Sequence, residues 1–319
     1  MRVEIAIPPK DIQNEAIIRA AAIRKSGLKE EEVREVKVVR RSIDARKKPL
    51  YRLFVEVSAA VIEPEAAILD GYKSVENAKR VIIVGAGPAG YFAALQLIEL
   101  GLKPIVLDRG KDVRQRRRDL RAIQQFGEVN PHSNYCFGEG GAGTYSDGKL
   151  YTRSHKRGNI KKSLQLLVEH GATTDIMVDS HPHIGSNKLP KIVANIRATI
   201  EKYGGEVHFD SYVTDFIIEN KNGERQIKGA ITNDQQEYLA EAVILATGHS
   251  ARDIFKLLHR KNVTIEAKPF ALGIRIEHPQ PLIDKIQYRQ EQREENLPAS
   301  SYSLVCQVKD RGVFSFCMC

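Results

Sequence analysis

The sequence VIIVGAGPAG at residues 81–90 places a short apolar run directly before three glycines at G-x-G-x-x-G spacing. A helical pattern follows, and a second apolar run ends at Asp108, 18 residues after Gly90. In a strand–turn–helix–strand unit that binds a dinucleotide, Gly85 would permit the tight turn, Gly87 would let the main chain approach a pyrophosphate, and Gly90 would let helix and strand pack closely. The N–H groups at the helix start would face the phosphates, and Asp108 would accept hydrogen bonds from ribose hydroxyls. The stretch therefore predicts a dinucleotide-binding α/β unit.

The composition indicates which class of protein this is. The length of 319 residues allows one large or two to three ordinary domains, and a composition of 42% hydrophobic and 28% charged residues is ordinary for a globular protein. No apolar stretch approaches the ~20 residues that cross a bilayer, and the N-terminus lacks the apolar core of a signal peptide. The four cysteines form no C-x-x-C pair and no disulfide framework. We therefore expect no membrane span and a location in the reducing cytoplasm.

The net charge of +9 arises from 49 basic and 40 acidic residues. Basic clusters lie at residues 40–48, 114–121 and 149–162. They could form a nucleic-acid surface, but acids are interleaved through much of the chain and no known nucleic-acid motif is present. Runs of this kind are most often solvated faces. Nucleic-acid binding is therefore disfavoured, and an anionic cofactor or substrate explains the basic excess equally well.

Apolar periodicity divides the chain into three predicted segments. Residues 1–75 predict a small α+β domain of β-α-β-β order, and residues 79–267 predict a Rossmann-like domain with a parallel sheet. Within the second segment, residues 111–186 are an insertion, and residues 212–242 predict a three-stranded antiparallel meander. Residues 268–319 predict the start of a β-rich substrate domain.

A second glycine cluster, FGEGGAGTYSDGK, covers residues 137–149. So many glycines in one run are costly in chain entropy, which predicts a main chain that must pass close to something flat or anionic. The alternative is a flexible linker. The flanking Phe137, Tyr145 and Leu150 favour a ligand-contacting loop, because functional loops concentrate glycines of this kind.

Six segments together resemble FAD-dependent oxidoreductases with a glutathione-reductase-like flavin domain, and most of all a bacterial family of uncharacterised FAD-dependent dehydrogenases. They are VIIVGAGPAG (81–90), LDRG (107–110), FGEGGAGTYSDGKL (137–150), HIGSNKLPK (183–191), ATGHSARD (246–253) and FSFCMC (314–319). The resemblance implies FAD as cofactor, with NAD(P)H as a candidate transient electron donor. Flavin domains of this kind finish with a Gly-Asp-containing strand and a helix, which nothing after Cys319 supplies. The resemblance therefore implies a chain that is truncated at its C-terminus.

The resemblance also implies a set of cofactor contacts. The glycines of the first fingerprint would hold the FAD diphosphate, Asp108 the adenosine ribose, and the main chain of Val213 the adenine. Arg109 would lie beside the adenosine, and the second glycine cluster would approach the flavin or its diphosphate. The implied cofactor-binding residues are Gly85, Gly87, Pro88, Ala89, Gly90, Asp108, Arg109, Gly140, Gly141, Gly143, Thr144, Val213, Thr247 and Gly248.

The catalytic residue is left unassigned, with four candidates. Cys317 and Cys319 would share one face of a strand ~6.6 Å apart, and this spacing suits either a thiol relay or ordinary packing. His249 could be an acid or base near the flavin or a simple loop histidine. Lys149 could orient a substrate or stabilise reduced flavin. No metal site is predicted, because no ligand set has zinc or iron–sulfur spacing.

Two further points concern function. Ser250-Ala-Arg-Asp253 has capping-box spacing, which predicts that Ser250 begins a helix rather than acting in catalysis. The leading hypothesis is an FAD-dependent oxidoreductase that passes a hydride between a small-molecule substrate and flavin N5. The resemblance favours a dehydrogenase over a double-bond reductase or monooxygenase. The alternatives are a non-catalytic flavin- or nicotinamide-binding regulatory protein and a nucleic-acid-associated flavoprotein. The substrate and the oligomeric state are not predicted.

Overall fold

The computed structural model describes residues 1–146, 148–150, 158–185 and 187–315. The strands are β1 (Arg2–Ile7), β2 (Glu35–Asp44), β3 (Leu50–Ser58), β4 (Arg80–Val84), β5 (Lys103–Leu107), β6 (Glu206–His208), β7 (Val213–Lys221), β8 (Glu224–Thr232), β9 (Glu237–Leu239), β10 (Ala242–Leu245), β11 (Val305–Val308) and β12 (Arg311–Phe314). The α-helices are α1 (Glu15–Ser26), α2 (Pro88–Glu99), α3 (Val113–Phe126), α4 (Ile160–Glu169), α5 (Leu189–Lys202), α6 (Arg252–Arg260) and α7 (Gln280–Tyr288).

The chain divides into two compact units. One comprises Met1–Glu65, Thr174–Pro182 and Phe270–Cys319, and the other comprises Ala66–Thr173 and His183–Pro269. This division groups the C-terminal segment with the N-terminal one. The sequence pattern suggests three segments instead, and that division stays a prediction.

The first unit contains the predicted β-α-β-β element. Its sheet has the antiparallel order β1-β3-β2, and alternate residues of β1 are buried, as a one-sided sheet requires. Helix α1 begins where the Asn14 side chain accepts hydrogen bonds from the N–H groups of Ala16 and Ile17, and it ends at Gly27 in the left-handed conformation. The same hydrophobic core takes in Tyr288 at the end of α7. The two C-terminal strands, β11 and β12, pair as an antiparallel hairpin.

The second unit contains the α/β fold. Its parallel sheet has the order β10-β4-β5-β6, and the antiparallel meander has the order β7-β8-β9. Residues 81–84 and 103–107 are buried, which is expected of parallel strands that are covered on both faces. Residues of the meander and of α6 join one apolar core with β4 and β5. The predicted fold class, a parallel sheet with a three-stranded meander after a small α+β domain, is confirmed.

Three strands of the parallel sheet end side by side. Val84 lies between Leu107 on β5 and Leu245 on β10 in the strand register. The turns that follow these strands therefore meet at one edge of the sheet. In open α/β sheets, ligands bind in the crevice outside the carboxyl ends of the strands.

Among the described residues, no helix is both long and apolar enough to cross a bilayer. The predicted cytoplasmic location stays a prediction.

His170 ties the end of α4 to α5 and gives a pH prediction. Its side chain is buried, with Nδ1 2.6 Å from the Leu166 carbonyl oxygen and Nε2 3.0 Å from Thr199 Oγ1. Burial lowers the pKa of His170, so the unfolded chain binds a proton at a higher pH than the folded one. The stability that the neutral ring contributes is therefore present above the ordinary histidine pKa of about 6.5 and is lost as the pH falls through the folded-state pKa.

We expect the free energy of unfolding of the wild type to fall more steeply between pH 7.5 and pH 5.5 than that of His170→Gln. Urea unfolding at the two pH values measures the difference. Equal slopes for the two proteins would contradict the assignment of His170 as the titrating group.

Candidate functional site

A cavity of about 470 Å³ lies at the carboxyl edge of the parallel sheet, within the usual range of ligand pockets. Its walls are the turns after β4, β5 and β10, the start of β7, and the second glycine cluster. The elements that the sequence marks for a dinucleotide are thus brought together around one space.

The three fingerprint glycines have different surroundings. A Cβ added at Gly90 would lie 1.9 Å from the Gly85 carbonyl oxygen, and one added at Gly85 would lie 2.5 Å from the Ala246 carbonyl oxygen. These two glycines are required by the packing of the protein itself. A Cβ at Gly87 would meet only Gly141 Cα, at 3.8 Å, and Gly87 lines the cavity. The space over Gly87 is therefore left open by the protein.

The N-terminus of α2 also faces the cavity. Gly87 is its N-cap and Pro88 its first residue, and no described side chain accepts hydrogen bonds from its first N–H groups. Pro88 and Ala89 line the cavity. The positive end of a 12-residue helix and its unpaired N–H groups suit an anionic group at this point.

Asp108 joins the turns after β4 and β5. Its side chain is buried, with Oδ2 accepting a hydrogen bond from Ala86 N at 2.7 Å and Oδ1 accepting one from Gly110 N at 2.8 Å. Burial raises the pKa of Asp108, and the two N–H donors oppose that shift. Each carboxylate oxygen keeps a second acceptor position, so a ribose contact is chemically open and stays a prediction. The sequence did not predict that the Asp108 side chain also accepts hydrogen bonds from these two main-chain N–H groups.

Arg109 is held by two contacts at the cavity wall. Its Nη2 lies 2.6 Å from Asp253 Oδ2, and its guanidinium lies 4.5 Å from the centre of the Phe137 ring. Arg109 and Phe137 both line the cavity. The arginine charge is therefore paired with a carboxylate and stacked on an aromatic face.

The capping-box prediction for Ser250 is wrong. Helix α6 begins at Arg252 with Ala251 as its N-cap and no side-chain cap. Ser250 Oγ instead lies 3.4 Å from Cys136 Sγ and 3.2 Å from His249 Nε2. Asp253, the other half of the expected box, is bonded to Arg109. The long-range ion pair thus replaces the local cap.

The second glycine cluster packs directly on the first. Gly140 N donates a hydrogen bond to the Ala86 carbonyl oxygen at 2.8 Å. A Cβ added at Gly141 would lie 3.3 Å from both Gly87 Cα and Pro88 Cδ. A loop held this closely is part of the fold rather than a flexible linker. Its main chain forms the wall of the cavity opposite the start of α2.

The structure brings most of the predicted cofactor-binding residues to the cavity. Those that line it are Gly85, Gly87, Pro88, Ala89, Asp108, Arg109, Gly141, Gly143, Val213, Thr247 and Gly248. Gly90, Gly140 and Thr144 lie behind the wall, where Thr144 Oγ1 donates a hydrogen bond to the Glu139 carbonyl oxygen at 3.0 Å.

The four candidate reactive residues are placed differently. His249 lines the cavity. Lys149 does not, and it forms a β-bridge with His183. Cys317 and Cys319 lie outside the described residues.

Two buried charges of the site were missed by the sequence predictions. Arg116 and Glu139 each have 0% of their surface exposed, and burial lowers the pKa of Arg116. Val113, Arg116 and Leu120 form the buried stripe of α3 at helical spacing. That spacing was the signal that could have identified Arg116, because an arginine on the apolar face of a helix must have internal partners. For Glu139 the sequence offers only its position among glycines.

Two family matches cover the α/β unit and the C-terminal segment. Residues 79–264, more than half of the chain, match the pyridine nucleotide-disulphide oxidoreductase family. Residues 269–319 match a family described as FAD-dependent protein, C-terminal domain-like. Residues 2–60 match a domain of unknown function.

The chain is also similar to known proteins. An uncharacterized protein of Clostridium beijerinckii is 37% identical over 322 residues, covering 95% of this chain and 59% of that protein. The chain thus spans about 59% of the length of the curated relative that it matches.

Solved structures give weaker similarity. THI4 of Thermovibrio ammonificans has a TM-score of 0.37 at 18% identity, over 59% of this chain and 64% of that one. Glycine oxidase of Bacillus cereus has a TM-score of 0.33 at 15% identity, over 58% of each chain. Similarity at this level carries no argument about function. The two family matches confirm the predicted flavoprotein and its cofactor FAD, and the chain belongs to the pyridine nucleotide-disulphide oxidoreductase family.

Proposed function

We propose that FAD binds along this cavity and that the protein is an FAD-dependent dehydrogenase acting on a small-molecule substrate. The observation that carries the proposal is the open space over Gly87, at the positive end of α2 and opposite Gly141. A fold that excludes a side chain at Gly85 and Gly90 for its own packing excludes none at Gly87. A ligand that needs close approach to the main chain accounts for a glycine there.

The lining residues fit the parts of FAD. The main chain of Gly87, Pro88 and Ala89 would hold the diphosphate from one side, and that of Gly141 and Gly143 from the other. The helix dipole and unpaired N–H groups stabilise such an anion without a cationic side chain in contact.

The adenosine would lie toward the other end of the cavity. Asp108 would accept hydrogen bonds from the ribose with its remaining acceptor positions. Val213 and the Arg109–Phe137 pair would border the adenine. The main chain of Thr247 and Gly248 would pass beside the cofactor.

FAD, when bound, supplies a two-electron acceptor that exchanges a hydride with the substrate. The residues described above bind and orient it. His249 is the candidate to hold or deliver a proton, because it is a histidine that lines the cavity. NAD(P)H is the candidate electron donor for the direction in which the substrate is reduced.

We expect the purified full-length protein to show flavin absorption bands and to release FAD rather than FMN on heat denaturation. NADH or NADPH added without oxygen should then bleach the bands, with photoreduction as the positive control. A protein that has no flavin and gains none with added FAD would overturn the proposal. Flavin that neither nucleotide reduces would overturn the choice of electron donor, and failure to oxidise or reduce any substrate would favour the regulatory alternative.

A further inference from the structure

We propose that Arg116 and Glu139 are positioning residues for the cofactor, which hold the segment Gly138–Gly143 (the glycine loop) against the start of α2 before FAD arrives. This inference rests on the proposed function. It concerns two residues that lie behind the cavity wall and touch its main chain, so neither is offered as a catalytic residue.

Arg116 holds the glycine loop, and the residues just before it, through main-chain carbonyl groups. Its Nε donates to the Asn134 carbonyl oxygen at 2.9 Å, its Nη2 to that of Tyr135 at 3.1 Å, and its Nη1 to that of Glu139 at 2.8 Å. Nη1 also lies 3.1 Å from Thr144 Oγ1. None of the described carboxylates forms an ion pair with this guanidinium. A buried charge whose donors are taken up by main-chain oxygens stabilises one conformation of that main chain.

Glu139 holds the same loop through its side chain. Oε1 accepts hydrogen bonds from Tyr91 Oη and from Arg197 Nε, both at 2.8 Å, and Oε2 accepts one from Val113 N at 2.7 Å. Tyr91 lies in the first turn of α2, Val113 begins α3, and Arg197 belongs to α5. One carboxylate thus fixes the loop to three helices.

The Tyr91 contact bears directly on the cavity. It joins the glycine loop to the helix whose N-terminus forms the opposite wall, while Gly140 N is bonded to the Ala86 carbonyl oxygen. The separation of Gly87 from Gly141 is therefore set by hydrogen bonds on either side of it. The close fit of the two glycines does not have to be created by the ligand.

Preorganisation matters here because the loop is rich in glycine. Fixing the main chain of a residue costs conformational entropy, and glycine has the most conformational freedom to lose. If Arg116 and Glu139 order the loop during folding, ligand binding does not have to provide the free energy for that ordering. Loss of either residue should then weaken the binding of every ligand that contacts the loop.

The test measures the affinities of the full-length apoprotein for FAD and for ADP by titration. Arg116→Met and Glu139→Gln should each lower the affinity for both ligands by about 10- to 100-fold. A loss of this size corresponds to the entropy of ordering one or two residues when the ligand binds. Arg116→Lys should recover part of the loss, because it keeps a buried charge with fewer donors. Amide hydrogen exchange of the ligand-free variants should be faster at residues 134–146 and unchanged in β4 and β5, and saturating FAD should restore the protection.

Two matched controls keep the test specific. Arg118→Met removes an exposed arginine of the same helix, and Glu201→Gln removes the exposed carboxylate 3.9 Å from Arg197 Nη1. Both should bind FAD and ADP within twofold of the wild type. If Arg116→Met does not fold, Glu139→Gln decides.

The outcomes separate the two proposals. If the wild-type protein binds neither FAD nor ADP, the proposed function itself is contradicted. Wild-type protein that binds FAD, beside a Glu139→Gln variant of unchanged affinity, overturns the positioning inference alone. Faster exchange throughout the α/β unit, rather than in the loop, also overturns it, because that pattern belongs to a general structural role.

Discussion

Replacing Gly90 with alanine is expected to lower the free energy of unfolding of the ligand-free protein by about 3 kcal/mol or more. The added Cβ would lie 1.9 Å from the carbonyl oxygen and 3.1 Å from the carbonyl carbon of Gly85. Both atoms belong to the main chain, so no side-chain rotation relieves the clash. Gly85 is itself closely packed, because a Cβ added there would lie 2.5 Å from the Ala246 carbonyl oxygen.

Chemical denaturation of the apoprotein measures the effect, with Gly71→Ala as the control. Gly71 belongs to the same unit, and a Cβ there would meet nothing within 4 Å. The control should stay within about 1 kcal/mol of the wild type. Equal stability of the two variants would contradict the close approach of α2 to the turn after β4.

The α/β unit was predictable because its signals are local. The run from Arg80 to Val84 is uniformly apolar after its first residue, and the proline at position 88 suits the first turn of a helix. Strand β2 shows where this reasoning fails. The apolar run ends at Val39, but the strand continues to Asp44 through a stretch in which Ile43 is the one apolar residue, with a register shift between Val38 and Arg40. Pairing with β3, rather than side-chain periodicity, carries the strand onward.

The site was predictable in part. The glycines and Asp108 could be placed together from the sequence because the strand–turn–helix–strand pattern fixes their spacing along the chain. Arg116 and Glu139 were missed because their partners are distant in sequence: Tyr91 and Arg197 lie 48 and 58 residues from Glu139. Ser250 was misassigned for the same reason, since the ion pair of Arg109 with Asp253 spans 144 residues. Local spacing identifies the groups that line the cavity, and only tertiary contacts identify the groups that hold them in place.

Gly87→Ala is expected to separate cofactor binding from folding. Its φ of −77° suits any residue, and the new Cβ would be in ordinary contact with Gly141 Cα at 3.8 Å. Stability of the apoprotein should change by no more than about 1 kcal/mol, the range of N-cap substitutions. The same methyl group would stand in the space proposed for the diphosphate. Crowding of about 1–3 kcal/mol predicts an affinity for FAD and ADP that is about 5- to 160-fold weaker.

Titration of FAD into the apoprotein and denaturation of that apoprotein form one experiment with Gly90→Ala as its counterpart. Gly90→Ala should lose FAD because the unit that binds it is destabilised, and Gly87→Ala should lose FAD from an intact unit. Unchanged affinity in Gly87→Ala would mean that the diphosphate does not pass over α2, which removes the observation on which the proposed function rests. A loss of stability as large as that of Gly90→Ala would mean that the fold, rather than a ligand, requires glycine at this position.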